Sequence, residues 1–521
     1  AGEGPQPDWI VTLKDGELCV RDNADLGGVL IVKEVSPGEL VLILAPEAVV
    51  QMPDSSRRSG GTFPISLSGI RQMRFELADG DDRLEFHGFS SEAFPGIRVD
   101  AGPGDDLVTF SGKMALAEGQ SLDLDLQDDA PVPGADSVIL NPGCQISTRG
   151  AGAVIMRVSR KILLSQSSIQ TVDGGIILEA NQQSDPSTGS FRGVDLITSR
   201  IISEGSGAIT LGGRGGTEGN FQFGIKLNKA SLIQGGDMGR VSLTGIGGDN
   251  GLNDNSGVCL EDAESQILSR GADIELRGTG MGKPGSGYNY GIALLHGRIA
   301  AAGGGNITLI GHGGATLGWG NTGILIRGAS VTSENGDVAL KGHGGGKTGA
   351  KGGVSSGVVI HHKGRVTSTG SGRVIMEGSG GQGAGMQHFG VLVRSEAQIS
   401  SAGGDVKVSG TGGAGGIGVL LGGGASLRSG GRGSLTVSGR AGEGDSCGIL
   451  LEGAEGTLIS TSGGDLLLNG QGGSLKAAGI TTEPLARITT AAHGGKVRLV
   501  GSNLSLAPDT VDQGAEIRSQ P

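Results

Sequence analysis

The stretch GILIRGASVTSENGDVALKGHGGGKTGAKGGVSS, Gly323 to Ser356, decides the fold. It contains three short segments whose apolar residues alternate with polar ones, the pattern of a half-buried strand. GILIRG directs Ile324 and Ile326 to one face, ASVTS offers Val331, and DVALKG offers Val338 and Leu340. A glycine-rich run of about ten residues follows, and then the pattern starts again at Gly357. One such unit is too small to bury its own apolar face. Stacked units bury one another's, which is the logic of a solenoid.

Working outward from this unit, a glycine followed by Ile or Val recurs ten times, from Gly193 to Gly479, with a mean interval close to 32 residues. The third segments keep register too, with Ile209/Leu211, Ile274/Leu276, Ile307/Leu309, Val374/Met376 and Leu466/Leu468 in equivalent places. Three strands per turn, each pairing with its equivalent one turn on, predict an all-β chain folded as a parallel β-helix. The general preference of β crossovers makes it right-handed. Glycine, 106 of 521 residues, belongs at the corners, where a side chain would obstruct the backbone. Aromatic residues are only 3%, so a narrow core of stacked Val, Ile and Leu is expected.

The formal net charge of −12 argues against nucleic acid or an anionic membrane surface as partner. There is no run of 18 apolar residues, so no membrane-spanning helix is expected. Cys19, Cys144, Cys259 and Cys447 have no metal-ligand spacing and read as buried thiols. The chain begins with Ala1 and lacks a signal peptide, as a processed exported protein or a trimmed one would.

Upstream of the main array the turns are shorter. RFELADGDDRLEF and IRVDAGPGDDLVTF are offset by 24 residues within 74–129. The sequence therefore divides into an N-terminal β cap over 1–62, a short-turn solenoid over 63–192, a main β-helix over 193–506 and an incomplete turn or tail over 507–521. Three acidic pairs would stack on one corner of the short turns: Asp81 with Asp82, Asp105 with Asp106, and Asp128 with Asp129. Like charges so placed repel by about 1 kcal/mol or more. A hard cation such as calcium would accept their oxygens. Solvation is the alternative, as is pairing with Arg57 and Arg58 one spacing earlier.

The consensus G-[IV]-x-[LIV]…[IV]-x-S-x-G-G-[DN]-[IV]-x-[LV]-x-G-x-G-G resembles that of large bacterial surface β-helix proteins of the filamentous-haemagglutinin kind, over residues 193–501. The resemblance implies export, an elongated shape and a role in adhesion or cell-envelope structure. AGPGDDLVT (Ala101–Thr109) and LADGDDRLE (Leu77–Glu85) are similar to the calcium-binding nonapeptide of repeat-in-toxin proteins, although here they lie a full turn apart.

Other features are weighed against catalysis. GHGG occurs at Gly311–Gly314 and Gly342–Gly345 and is similar to a polygalacturonase motif, but the companion NTD and RxK segments are missing. Both histidines read as exposed loop residues. The outward positions of the first strand become apolar toward the C-terminus (Leu325, Val359, Leu392, Leu420, Leu450), which suggests a face that packs against a partner. Phe221, Phe223, Tyr288, Tyr290, Trp319 and Phe389 precede leading glycines, either to stiffen the loop or as a carbohydrate platform. After Gly501, SNLSLAP and GAEIRSQP resemble first and second strands whose third is missing. Trp9, Ile10, Val11 and Leu13 of one subunit would then complete the turn containing Ala515 and Ile517 of the next, giving a head-to-tail filament. The sequence thus predicts a non-enzymatic structural or adhesive module, extracellular or at the cell surface, that associates with itself or with a surface or matrix partner. The competing class is a polysaccharide-active enzyme or carbohydrate-binding module.

Overall fold

The computed structural model describes residues 6–24, 27–89, 92–127, 134–347, 354–383, 387–491, 495–512 and 514–520. Among them the chain is all β, without helix, and its strands stack in parallel ladders, so the fold is a parallel β-helix. It divides into two compact units. The first comprises Ala1–Thr188, Gly193–Gly213 and Ser231–Arg240, and the second Gly189–Arg192, Arg214–Ala230 and Val241–Pro521.

In the second unit the turn beginning at Gly323 supplies strands Ile324–Arg327, Ser330–Ser333 and Val338–His343. Each pairs in register with its equivalent one turn on, Ile324 opposite Val358, Val331 opposite Val366 and Val338 opposite Val374. Neighbouring strands lie roughly 4.8 Å apart, so like side chains touch along every ladder. Ile324, Ile326, Val331, Val338 and Leu340 are all buried. Each such side chain contributes about 1.5–3 kcal/mol relative to remaining in water.

The rest of the repeat consensus follows from the corner after the second strand. The serine there is buried and donates to a carbonyl of the same corner or of its neighbour: Ser333 to Gly305 at 2.8 Å, Ser401 to Gly372 at 2.7 Å. The Asp or Asn that follows accepts the amide of its equivalent one turn on, as Asn306 accepts from Asp337 and Asp337 from Arg373, at 2.8 and 2.7 Å. Between them the backbones come so close that a methyl on Gly336 would strike the carbonyl of Gly305.

The last turn is complete, contrary to the expectation from sequence. Leu504–Leu506 pairs with Ile480–Thr482, Val511 bridges to Ile488, and Glu516–Gln520 pairs with Val497–Ser502. GAEIRSQP is therefore the third strand of that turn and not the second. The second position is held by a single bridge at Val511, too short to show as a strand in the sequence.

The first unit starts stacking upstream of residue 63. Glu17–Asp22 lies parallel to Gln72–Glu76, and Val29–Ser36 parallel to Arg83–Phe89. Antiparallel pairs flank these first strands: Trp9–Lys14 on Glu17–Asp22, and Glu39–Ile43 between Val29–Ser36 and Thr62–Ser66. The core here is not the narrow aliphatic one predicted. Phe86 and Phe110 stack at 4.8 Å, Phe75 meets Phe86 edge-on at 5.4 Å, and Phe89 meets Phe94 at 4.8 Å.

Candidate functional site: polar columns and an exposed ridge

The strands that carry the Gly-Asp-Asp turns place their acids in two columns in the first unit. Asp81 and Asp105 are exposed, and Asp105 donates its amide to Asp81 Oδ1 at 3.0 Å. Asp82 and Asp106 point inward and are buried, only 2% and 1% exposed. Gly28 donates its amide to Asp82 Oδ1 at 2.6 Å, Asp82 to Asp106 Oδ1 at 2.7 Å, and Asp106 to Asp136 Oδ1 at 2.7 Å. Ser159 ends the column: it accepts the Asp136 amide and donates its hydroxyl to Asp136 Oδ2, both at 2.7 Å. Burial pushes the Asp82 carboxyl up to about 7, against the Gly28 hydrogen bond and with the help of the neighbouring Asp22 carboxylate.

Two of the three predicted pairs are thus brought together. The third pair, Asp128 and Asp129, lies outside the described residues. The place expected for Asp129, next after Asp106 in the buried column, is held by Asp136 instead. Asp136 follows Asp106 by 30 residues and accepts its amide, so the turn between them is longer than the 24-residue offset had implied. The signal was present in the sequence: PGADSV repeats the register of PGDDLV, with glycine two residues before the buried acid. Arg58 pairs with Asp54 in the antiparallel Val49–Gln51/Arg57–Ser59 region. Among the described residues no group of three or more His, Cys, Asp or Glu is arranged to hold a metal ion.

The second unit contains a column that the sequence reading missed. Two residues before successive leading glycines stand Gln222, Asn255, Asn289 and Asn321, all buried. Each side-chain oxygen accepts the amide one turn back: Phe191 donates to Gln222 (2.7 Å), Gln222 to Asn255 (3.1 Å), Asn255 to Asn289 (3.1 Å) and Asn289 to Asn321 (3.3 Å). The carboxamide nitrogens continue the chain, Asn255 Nδ2 to Asn289 Oδ1 and Asn289 Nδ2 to Asn321 Oδ1, both at 3.2 Å.

His312 and His343 are strand residues, not loop residues. They end adjacent third strands, with rings stacked at 4.7 Å and 13°. His343 Nδ1 lies 2.7 Å from the Ser379 hydroxyl, and burial with the nearby His312 holds its pKa below the usual histidine value. His361 is pushed down to about 4 by burial and by the neighbouring His362. All four cysteines are free thiols, and burial raises those of Cys144 and Cys259 to about 12.

The apolar outward positions of the first strands are not an open face. Leu325, Val359 and Leu420 are under 9% exposed, as are Cys259 and Ala293, whereas Leu392 and Leu450 are half-buried. Phe223, with Tyr290 and Leu295, packs over Cys259 and Ala293. Lys226, also outward, places its ammonium 4.8 Å from the centre of the Phe223 ring and 2.7 Å from the Glu261 carboxylate. The aromatics before the leading glycines therefore split. Phe223 and Phe389 are buried, whereas Phe221, Tyr288 and Trp319 stand out at 50%, 49% and 57% exposure.

Of the residues expected to mediate assembly, Trp9, Ile10 and Val11 are already paired, whereas Leu13 and Ile517 are each 52% exposed. Trp9 and Ile10 pair with Asp22 and Arg21 on one edge and with Val50 and Gln51 on the other. Trp9 and Val11 are buried, Leu13 is exposed, and Ala515 leads into the strand whose Ile517 pairs with Leu499. The missing-strand basis for head-to-tail donation is thereby removed. Among the described residues no helix is long and apolar enough to cross a membrane. No family model, curated protein or solved structure matches this chain.

Proposed function

We propose that this β-solenoid serves as a structural or adhesive module, outside the cell or at its surface, and not as an enzyme. The observation that carries this reading is how the polar columns are spent. Asp82, Asp106 and Asp136 in the first unit, and Gln222, Asn255, Asn289 and Asn321 in the second, all direct side-chain oxygens at backbone amides of the adjacent turn. A catalytic face needs groups aimed at a substrate and held there by their neighbours. These side chains instead hold turns together, which suits a protein whose product is its own surface.

The experiment is labelling of intact cells that make the chain, using an impermeant biotin reagent and an antibody. Labelling before lysis is expected, and labelling only after lysis overturns the surface reading. A screen for release of reducing ends from polyuronides and neutral glucans is expected to be negative. Turnover on any of them would favour the enzyme instead.

A further inference from the structure

We propose that the ridge carrying Phe221, Asp254, Tyr288 and Trp319 binds a strand of neutral polysaccharide. This rests on the adhesive reading and supplies its ligand class. Phe221, Asp254 and Tyr288 each lie three residues before a leading glycine (Gly224, Gly257 and Gly291) in three successive turns of the second unit, and Gly320 takes the same place in the fourth. All four have positive φ, of 63°, 59°, 59° and 75°. Glycine adopts that conformation freely, whereas a bulky aromatic does so at a cost in strain. The chain therefore holds two large rings outward, half exposed, at the positions where its backbone least favours them.

The ridge is a platform and not a loose loop. Phe221 donates its amide to the Asn253 carbonyl at 3.0 Å, Asp254 to Gly287 at 3.1 Å, and Tyr288 to Trp319. The Asn220 and Asn253 side chains are spent on the amides of Asn253 and Gly287, at 3.0 and 2.8 Å. A Cβ on Gly320 would lie 2.7 Å from Tyr288 Cδ1, so the Tyr288 ring rests against the backbone of the next turn and keeps its remaining surface open. Phe221 is braced by Phe223, with ring centres 6.2 Å apart.

The composition selects the occupant. Aromatic rings offer apolar surface to the C–H faces of a pyranose. A carboxylate in the column of a chain with net charge −12 disfavours a polyanionic glycan and an anionic bilayer alike. Phe221 and Tyr288 lie two turns apart, roughly 10 Å or about two sugar residues, so a linear polymer engages both rings at once where a single sugar engages one.

The test is affinity electrophoresis of the full chain in gels containing hydroxyethylcellulose, galactomannan or polygalacturonate, with tryptophan quenching alongside. The chain has two tryptophans, and Trp9 is only 4% exposed, so acrylamide quenching reads Trp319. Retardation is expected in at least one neutral gel and not in polygalacturonate, with protection of Trp319 by the same glycan. Trp319→Ala, and Tyr288→Asn (chosen because asparagine tolerates positive φ), are each expected to weaken retardation about tenfold while circular dichroism stays unchanged. The proposal is overturned by no retardation in either neutral gel, by retardation unaffected in both variants, or by equal retardation in polygalacturonate. Any of these leaves surface labelling of intact cells standing. Conversely, glycan binding by a chain that is never labelled at the surface sinks the localisation and keeps the ridge.

Discussion

Replacing Asp82 by asparagine should stabilise the first unit at pH 8, although it removes a buried, hydrogen-bonded acid. Asp82 Oδ1 accepts the Gly28 amide, and an asparagine carbonyl oxygen preserves that bond. What the substitution removes is a carboxylate, 2% exposed, beside the Asp22 carboxylate. Its pKa of about 7 in the folded chain stands against 3.8 for an ordinary aspartate. Because the folded-state pKa is raised, the folded chain holds the proton more tightly than the unfolded one. The penalty is absent below about pH 4, grows as pH rises toward 7, and is constant above. At about 1.4 kcal/mol per pH unit, that span comes to about 4 kcal/mol at pH 8. The new amide must itself be satisfied, with Asp22 as acceptor, so a net gain of about 2–4 kcal/mol is expected. Guanidinium melts of wild type and Asp82→Asn between pH 4 and 8, both in a Trp319→Phe background so that emission reports the buried Trp9 alone, isolate this group by difference. The gap between the two curves should open with rising pH. A gap that is constant, or an asparagine variant less stable at pH 8, refutes the reasoning. Repeating the pH 8 melts with calcium and with chelator tests the cation suggested by the acidic turns, which would stabilise the wild type and not the variant.

Asn289→Ala should cost about 2–3 kcal/mol, because the buried Asn255 amide and carboxamide both lose their acceptor; hydrogen exchange should show faster exchange at Asn255 than in turns far from the change. Gly336→Ala forces a methyl onto the Gly305 carbonyl and should cost at least about 3 kcal/mol, seen as a lower melting temperature or loss of soluble protein; a melting temperature indistinguishable from wild type contradicts the close approach. His361, held down to about 4, makes the second unit lose stability as pH falls from about 6.5 toward 4, since the unfolded histidine takes up a proton that the folded one resists. His361→Gln should flatten that limb in melts between pH 4 and 7, and an unchanged slope refutes it.

The repeat was legible because stacking makes like residues neighbours: Val331 touches Val366 and Val338 touches Val374, so a turn-length period appears in the sequence itself. What stayed hidden varies from turn to turn while its position stays fixed. Gln222, Asn255, Asn289 and Asn321 occupy one column, but the same place later holds Ser355 and His388, so no motif announces it. Adjacent aspartates single out Asp128 and Asp129 in the sequence, whereas the third acid of the buried column is Asp136. The geometry selects instead a glycine two residues before the acid, as in Gly134 and Asp136. Composition misled about the core because 3% aromatics averages over the chain, and Phe63, Phe75, Phe86, Phe89, Phe94 and Phe110 are concentrated in the first unit. Alternation also implied that the outward side of a first strand faces water. Phe223 and Tyr290, brought back over Cys259 and Ala293 by the preceding loop, cover it.

The two polar columns solve one backbone problem with different chemistry, and the difference has consequences. Each supplies an oxygen to an amide of the adjacent turn, a buried donor that would otherwise cost free energy. A carboxamide also has a donor to pass along, so Asn255 and Asn289 extend their ladder with their own nitrogens. A carboxylate has none. A column of Asp82, Asp106 and Asp136 accepts at every step and ends where the Ser159 hydroxyl donates to Asp136. At Asp82 burial, with the neighbouring Asp22 carboxylate, raises the carboxyl to about 7, so this end of the column takes up a proton as pH falls through that range. Sensitivity to alkaline pH should therefore reside in the first unit's acidic column, while the carboxamide column of the second unit holds its own turns through groups that do not titrate.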